Sequence, residues 1–222
     1  LNRVTFSFNQ NLDKAIIIPI AKGYRKLPDP IQKGTSNAVK NLSTLITIPN
    51  NILQGDIKTA MINTGRLVVN TTVGLLGVID VANKMGFPKY VKEDYGQTLG
   101  AWGVGPGCYL VLPVLGPSTI RDTAGSFANV MGGDPWYNAS VQGNNEFLSE
   151  SVFLTSKALS GIEFRANNIE SIDNIEKNSV DFYASVKSLY LQDRENKIEN
   201  LNRGNIEVIY KNEEDWEEID NQ

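Results

Sequence analysis

The 222-residue chain contains no histidine, only one cysteine, and no apolar run of the roughly 20 residues that a membrane-spanning helix needs. Without histidine, the commonest general base and metal ligand is absent. A single cysteine excludes an internal disulfide and, without histidine, also excludes a structural zinc site. We interpret Cys108 as a small core residue, because a lone thiol with no activating base is a poor nucleophile.

Charge is distributed unevenly along the chain. Residues 1–165 carry 15 Lys and Arg against 11 Asp and Glu, a net charge of +4, and the remaining residues carry 6 against 14, a net charge of −8. The basic residues do not cluster with interleaved aromatic residues, so we expect no nucleic-acid partner. A mildly basic body suits anionic lipid headgroups. We predict one domain over residues 1–203 and an acidic, disordered tail over 204–222.

Hydrophobic periodicity predicts a mostly α-helical chain. The predicted helices cover residues 4–30 with a kink or end at Pro19, 31–48 with an end at Pro49-Asn50, a short 50–54, Thr119 to Met131, 146–166 and 168–201. Residues 57–79 are ambiguous, because their β-branched residues favour strands whereas their apolar spacing favours a helix. We prefer a buried core helix for this segment.

Glycine is concentrated between Gly96 and Asp122, where six glycines surround the apolar run Tyr109-Leu110-Val111-Leu112. Each glycine costs about 0.5–1 kcal/mol of backbone entropy where a regular element would otherwise form, so this density indicates tight turns or close approach of the backbone. The spacing matches neither a P-loop nor a dinucleotide fingerprint. We predict a hairpin-like element over Gly103 to Pro113, at the mouth or wall of a passage or groove. Its glycines permit large changes of φ and ψ, so both a moving gate and a fixed wall remain open.

Charged residues stand inside apolar stretches at three places. They are Arg66 with Asp80, Arg121 with Asp122, and Glu163 with Arg165. Because a buried charge must be paired or hydrogen-bonded, internal ion pairs that fix helix packing are the favoured interpretation. The alternative is a polar lining for a lipid headgroup. Trp102 and Trp136 are either membrane-interface anchors or ordinary core residues.

Many short blocks, in order, make the chain resemble the VacJ/MlaA family of outer-membrane lipoproteins over residues 1–200. The blocks include Asn2-Arg3, Phe8-Asn9, Ser36-Asn37, Leu53-Gln54-Gly55-Asp56, Arg66, Asn70-Thr71, Asp80, Gly96-Gln97-Thr98-Leu99-Gly100, Trp102-Gly103-Val104, Gly116-Pro117-Ser118-Thr119, Arg121-Asp122 and Gly161-Ile162-Glu163. The chain departs from the family at Ala38, where an aromatic residue is common, and at Cys108, where proline is common. The family's lipid-bearing cysteine is expected upstream of Leu1.

The resemblance implies an all-α, single-domain, ring-like platform with a glycine-rich hairpin and a central amphipathic passage, without cofactor or metal. It implies a lipoprotein on the periplasmic face of the outer membrane that extracts misplaced phospholipids. Its expected partners are phospholipid, the inner leaflet, a trimeric porin and a soluble periplasmic lipid carrier. The passage and hairpin residues are expected to be Asn37, Ala38, Gly103, Val104, Gly105, Gly107, Tyr109, Leu110 and Leu112.

Two other function classes remain open from the sequence. The first is an envelope scaffold lipoprotein that binds porins or other envelope proteins and moves no lipid. The second is a carboxylate-dependent hydrolase, for which Asp80 and Asp122 are the best pair, although neither has a catalytic sequence context. We expect no enzyme.

Overall fold

The computed structural model describes residues 1–142 and 149–202, and this part of the chain is predominantly helical. Its elements are α1 (Asn2–Leu12), α2 (Ile18–Tyr24), α3 (Asp29–Leu53), α4 (Ile57–Thr72), α5 (Val81–Lys84), α6 (Tyr95–Ala101), β1 (Tyr109–Leu112), β2 (Gly116–Thr119), α7 (Ile120–Ala128), α8 (Pro135–Tyr137), α9 (Glu150–Asn167), α10 (Ile169–Asn178) and α11 (Phe182–Asn202). The predicted all-α, single-domain class is confirmed. The predicted tail lies outside the described residues.

A wide turn accommodates Pro19 between α1 and α2. The amide of Ile18 donates to the carbonyl of Asp13, five residues back, so the helix widens by one residue just before the proline. This widening relieves the clash that a proline ring makes with the preceding helical turn. The chain therefore remains helical from Asn2 to Tyr24.

The prediction that Pro49 ends a helix is wrong, because α3 continues past it and includes most of the separate helix predicted over 50–54. Asn50 is fully buried and fixes this last turn to α6. Its side-chain amide donates to the carbonyl of Ile46 at 2.8 Å, and its side-chain oxygen accepts the hydroxyl of Thr98 at 2.6 Å. Contacts with another helix therefore override the local effect of the proline.

A buried helix is expected over residues 57–79. The helix is present but ends at Thr72, and the prediction that the segment is buried is wrong. A Cβ on Gly74 would lie 2.4 Å from the carbonyl oxygen of Asn70, and Gly77 has φ +92°, so the chain leaves the helix here. Leu75 and Leu76 also have positive φ. The exposed apolar side chains of this region are Ile57, Met61, Val68, Val73, Leu75, Leu76, Val78 and Ile79.

The hairpin lies later than predicted, over Tyr109–Thr119. β1 and β2 are antiparallel, with Tyr109 opposite Thr119 and Leu112 opposite Gly116. Residues 103–107 instead form an exposed connection from α6 to β1. Cys108, the last residue before β1, is exposed, so its assignment to the core is wrong.

Two asparagines of α1 hold β1 by imitating a neighbouring strand. Asn2 donates to the carbonyl of Tyr109 at 2.8 Å and accepts the amide of Val111 at 3.1 Å. Asn9 donates to the carbonyl of Leu112 at 2.9 Å and accepts the amide of Val114 at 2.8 Å. The asparagines are two helical turns apart, so they share one face of α1. The hairpin is thus fixed to the N-terminal helix along β1.

The region after residue 149 contains three helices, where the sequence predicted two. α10 ends at Asn178 because Ser179 is extended, and Val180 is fully exposed. Asp181 then accepts the amide of Ala184 at 3.2 Å and so caps α11. This break turns the chain before its last described helix.

The backbone at Gly103 and Gly105 predicts different effects of a side chain. Gly103 has φ +88°, whereas Gly105 has no such φ, and a Cβ at either position would meet open space. We expect Gly103→Val to lower the free energy of unfolding by about 1–2 kcal/mol because of the left-handed backbone. The matched control Gly105→Val should change it by less than about 0.5 kcal/mol. Denaturant unfolding measures both, and equal losses would contradict this reading of the connection.

Candidate functional site

An apolar cavity of about 490 Å³ lies between α1, the hairpin and the three C-terminal helices. Apolar side chains from each of these elements line it. They are Phe6, Leu12, Ile17, Val114, Pro117, Phe164, Ile172, Ile175, Phe182, Val186 and Leu189. Such a lining can accommodate hydrocarbon, since apolar surface is stabilised by leaving water.

Paired charges form the polar part of this cavity. The guanidinium of Arg165, which is buried, donates from Nε to both carboxylate oxygens of Asp13 at 3.0 and 3.1 Å, and its Nη2 lies 3.5 Å from Asp173. Nearby, Lys14 donates to Glu176 at 2.6 Å. These pairs connect the N-terminal helices to α9 and α10 and leave the cavity amphipathic.

A second cavity of about 310 Å³ lies between α3, the hairpin, α7, α9 and α11. Its lining is rich in charges and hydroxyls: Ser43, Lys92, Asp94, Ser118, Asp122, Ser126, Lys157 and Arg194. Pro117 and Tyr190 line both cavities. An apolar space and a polar space therefore adjoin at these two side chains.

Arg194 of α11 is held between two carboxylates from different helices. It donates from Nη1 and Nη2 to Asp94, the N-cap residue of α6, at 2.7 and 2.8 Å. It also donates from Nε and Nη2 to Asp122 of α7, at 3.1 and 2.8 Å. The hydroxyl of Tyr190 donates to the same Asp122 at 2.7 Å. This cluster joins α6, α7 and α11 beside the polar cavity.

The cluster has strongly shifted protonation equilibria. Burial alone would raise the pKa of Asp94, but the hydrogen bonds and charge of Arg194 hold that pKa at about 2. The pKa of Asp122 is likewise lowered against burial, mainly by Arg194 and Tyr190. Burial and the hydrogen bond to Asp122 raise the pKa of the Tyr190 hydroxyl. Both carboxylates are therefore charged at neutral pH.

Lys92 adds a cationic group to the polar cavity. Burial, together with the positive charges of Lys157, Lys197 and Arg194, lowers the pKa of Lys92, and Asp94 partly opposes this effect. The ammonium of Lys157 is paired with Asp134 at 3.0 Å. The polar cavity therefore presents several cations that the fold brings together from separate helices.

Few of the residues expected to line the passage lie at these cavities. Among the described residues, Leu112 and Asp122 line the polar cavity. Tyr109 packs edge-on against Tyr183 and Tyr190, beside the apolar cavity. The others lie elsewhere: Gly103, Val104, Gly105 and Gly107 are in the exposed connection, Leu110 is half-buried on β1, and Asn37 and Ala38 are half-buried on α3. Asn37 donates to the carbonyl of Val78 at 3.1 Å and so holds the apolar loop after α4.

The predicted charged pairs have different partners. Arg66 donates to both carboxylate oxygens of Asp80, at 2.9 and 2.8 Å, and joins α4 to α5. Arg121 donates to Asp122 at 3.1 Å. Since Asp80 and Asp122 are each held by their own arginine, they do not form the carboxylate pair that hydrolysis would need. Arg165 pairs with Asp13, whereas Glu163 lies in no ion pair among the described residues.

The two tryptophans differ in exposure. Trp102 is exposed, and its indole nitrogen donates to the carbonyl of Leu53 at 3.0 Å. Trp136 is half-buried, and its indole nitrogen donates to the hydroxyl of Ser156 at 3.1 Å. The position of Trp102, with its ring outside and its polar nitrogen satisfied, suits an interface between water and lipid.

Sequence reasoning missed Arg194, Asp94 and Lys92. One signal was available for the first two: Tyr190 and Arg194 are four residues apart on a predicted helix, and Asp94 precedes the helix start at Tyr95. An acidic N-cap residue accepts amides of its own first turn and can also accept a hydrogen bond from a guanidinium. The pairing itself spans 100 residues of chain, and no periodicity reveals it.

Comparison with known proteins decides the family. The family model described as "MlaA lipoprotein" matches residues 1–197. The chain belongs to the MlaA lipoprotein family. It is 36% identical over 196 residues to the "Intermembrane phospholipid transport system lipoprotein MlaA" of Escherichia coli, covering 86% of this chain and 73% of that protein. The family is one of transport lipoproteins rather than of enzymes.

Two further relatives agree with this assignment. A protein of Rickettsia bellii described only as uncharacterized is 34% identical over 200 residues, which cover 89% of this chain and 74% of that protein. A solved structure described as the "Structural basis for maintenance of bacterial outer membrane lipid asymmetry" superposes with a TM-score of 0.75 at 32% identity. The match covers 89% of this chain and 96% of that one. The fold is therefore that of the MlaA family.

Within residues 1–142 and 149–202, every helix is too short or too polar to span a bilayer. The same residues contain no group of three or more His, Cys, Asp or Glu side chains placed to hold a metal ion.

Removing the arginine between Asp94 and Asp122 should be costly. Arg194→Met leaves the buried Asp122 and the half-buried Asp94 without their main partner, so we expect the free energy of unfolding to fall by about 3 kcal/mol. Lys197→Met on the same helix removes only an exposed pair with Asp193 and should cost less than about 0.5 kcal/mol. Denaturant unfolding of the two variants measures the difference. Similar losses would show that the cluster is not a main support of the fold.

Glu93 makes stability depend on pH. Burial, with a contribution from the charge of Asp94, raises the pKa of Glu93 to about 7, although a hydrogen bond from Gln54 opposes this. Because the folded-state pKa lies above the unfolded value, this contribution to stability is fully present below about pH 4.5 and is lost as pH rises through about 7.

Replacing Glu93 with glutamine should remove this pH dependence. We expect the unfolding free energy of Glu93→Gln to rise relative to that of the wild type, by up to about 3 kcal/mol, as the pH is raised from about 5 to about 8. Unfolding titrations at several pH values test this, with the exposed Glu195→Gln as control. Parallel curves for wild type and Glu93→Gln would refute the assignment. Asp94 affects stability in a different pH range, because its pKa is lowered to about 2 and its contribution is lost only as the pH falls toward that value.

Proposed function

We propose that this chain extracts misplaced phospholipids from the outer leaflet of a Gram-negative outer membrane and passes them to a soluble periplasmic carrier, and so maintains lipid asymmetry. The observation that carries this proposal is the pair of cavities, one apolar and one polar, that adjoin at Pro117 and Tyr190. The names of the E. coli relative and of the similar solved structure, which refer to phospholipid transport and lipid asymmetry, support it.

A lipid passage must satisfy two opposite solvation demands. Each buried CH₂ of an acyl chain is worth about 0.8 kcal/mol, so a two-chain lipid cannot cross water without a large penalty. Its charged headgroup carries the opposite penalty in hydrocarbon. In this proposal the acyl chains occupy the apolar cavity, while the phosphate faces Lys92, Lys157 and Arg194. Pro117 and Tyr190, which line both spaces, separate the two ends of the lipid.

The outer surface is suited to contact with the inner leaflet of that membrane. Large apolar side chains are exposed along the outside of α4 and the loop after it, where water would disfavour them. They include Met61, Val68, Val73, Leu75 and Leu76. In this proposal these residues and Trp102 sit in the acyl region of the inner leaflet. A cysteine upstream of residue 1 carries the lipid anchor. A trimeric porin contacts the protein in the membrane.

In this proposal the hairpin and the glycine-rich connection before it, residues 103–107, form the movable wall of the passage. β1 and the turn residue Val114 are fixed to α1 by Asn2 and Asn9. Residues 103–107 are exposed, and Gly103 and Gly107 have positive φ and allow this connection to turn. The wall can therefore deform along the connection while β1 stays in place.

Filling the apolar cavity should block lipid uptake. Val186→Trp on α11 projects a large ring into the roughly 490 Å³ space, so we expect purified protein to retain at least about fivefold less phospholipid, measured by mass spectrometry. In cells the variant should weaken the outer-membrane barrier against detergent. The matched control Val180→Trp lies at a fully exposed position and should behave as wild type.

The outcome separates transport from scaffolding. If Val186→Trp folds, retains as much lipid as the control and preserves the barrier, the apolar cavity is not the lipid path. A wild-type protein that carries no phospholipid even when extracted from membranes, yet still binds a porin, would instead favour an envelope scaffold.

A further inference from the structure

A third cavity lies on the opposite side of α9 from the apolar one. It measures about 310 Å³ and is lined by α2, the first turns of α3, and α9. The residues that matter are Tyr24, Asp29, Lys33, Ser36, Glu163 and Asn167. Consecutive residues of α9 thus line different spaces, since Phe164 and Arg165 line the apolar cavity.

Glu163 is the unusual group in this third cavity. Only 8% of the residue is exposed. Among the described residues its carboxylate accepts no hydrogen bond and belongs to no ion pair. The adjacent hydroxyl of Tyr24 donates elsewhere, to the carbonyl of Gln32 at 3.1 Å. Its acceptor positions therefore stay available at the cavity, and an arriving cation with N–H groups can occupy them.

A free cation and a second acid complete the site. Lys33 lines the same cavity and, within the described part of the chain, forms no ion pair, even with Glu163. Asp29 adds a second carboxylate at the first turn of α3. The three groups carry a net charge of −1, which favours a cationic or zwitterionic ligand over an anion. The separated opposite charges match a ligand that carries an ammonium at one end and a phosphate at the other.

We propose that this cavity binds the headgroup of a phospholipid with a primary ammonium, as in phosphatidylethanolamine. Glu163 accepts the ammonium N–H groups, and Lys33 faces the phosphate. A quaternary ammonium has no N–H donors and would leave the carboxylate unsatisfied. Exposed Ile20, Leu27 and Ile31 flank the site on α2, the following turn and α3, where acyl chains can rest. This inference rests on the proposed lipid transport and adds to it a second lipid-binding site, separate from the apolar and polar cavities, that selects the headgroup.

A competition between two lipids tests the site. The purified chain is incubated with vesicles containing equal amounts of phosphatidylethanolamine and phosphatidylglycerol, reisolated, and its bound lipid quantified by mass spectrometry. The wild type should be enriched in phosphatidylethanolamine. Glu163→Gln should lower the bound ratio about twofold, to that of the lipid held in the other two cavities, because it loses a charge-assisted hydrogen bond to the ammonium. Total bound lipid should be nearly unchanged, since the apolar cavity is intact. Glu150→Gln, exposed on the same helix, is the matched control.

Each outcome has a separate meaning. Equal ratios for wild type and Glu163→Gln, with lipid still bound, overturn the headgroup site and leave the transport proposal standing. A wild type that binds no lipid overturns both.

Soluble phosphoethanolamine is a third arm: retention as strong as that of the lipid would assign the site to a free headgroup and overturn the lipid assignment. Lys33→Gln lies on an exposed position, so it tests the site even if Glu163→Gln does not fold. Because it removes the cation that faces the phosphate, it should weaken the retention of soluble phosphoethanolamine about threefold, and unchanged retention contradicts the proposal.

Discussion

The arrangement of the C-terminal half depends on one guanidinium between two carboxylates. Arg194 reaches Asp94 and Asp122 from an element almost at the end of the described chain. Each acid also serves its own helix, since Asp94 caps α6 and Asp122 lies in the first turn of α7. The cluster therefore fixes helix starts and helix packing at once, and it closes the polar cavity against α11. Charges buried in this way specify one arrangement, because any other leaves them unpaired.

The distribution of polarity in this protein is partly inverted. The largest fully buried side chains are polar: Gln97, Asn50, Asn51, Thr47, Thr98, Thr119 and Asp134. Meanwhile many leucine, isoleucine, valine and methionine side chains are exposed. A hydrogen-bonded interior holds the helices where apolar burial is limited. The apolar surface then remains available for hydrocarbon, outside the fold and in the cavity beside the hairpin.

The helical class followed from periodicity, and the family followed from ordered sequence blocks. The errors had local causes. Pro49 does not end α3, because buried asparagines hold the next turn, and the segment after Thr72 is exposed although its composition is that of a core. The hairpin lay a few residues later, because Asn2 and Asn9 select β1 from another part of the chain. Arg194 and the cavity linings depend on contacts between distant elements, which a single sequence does not display.

Tyr190 connects the apolar cavity to the cluster formed by Asp94, Asp122 and Arg194. The ring lines the cavity, and its hydroxyl is bonded to Asp122, one of the two acids that hold Arg194. An occupant that packs against the ring without moving it adds contacts to the same element that fixes three helices. An occupant that displaces the ring must first break a buried hydrogen bond. Occupation of the cavity and resistance to unfolding are therefore thermodynamically linked through one side chain.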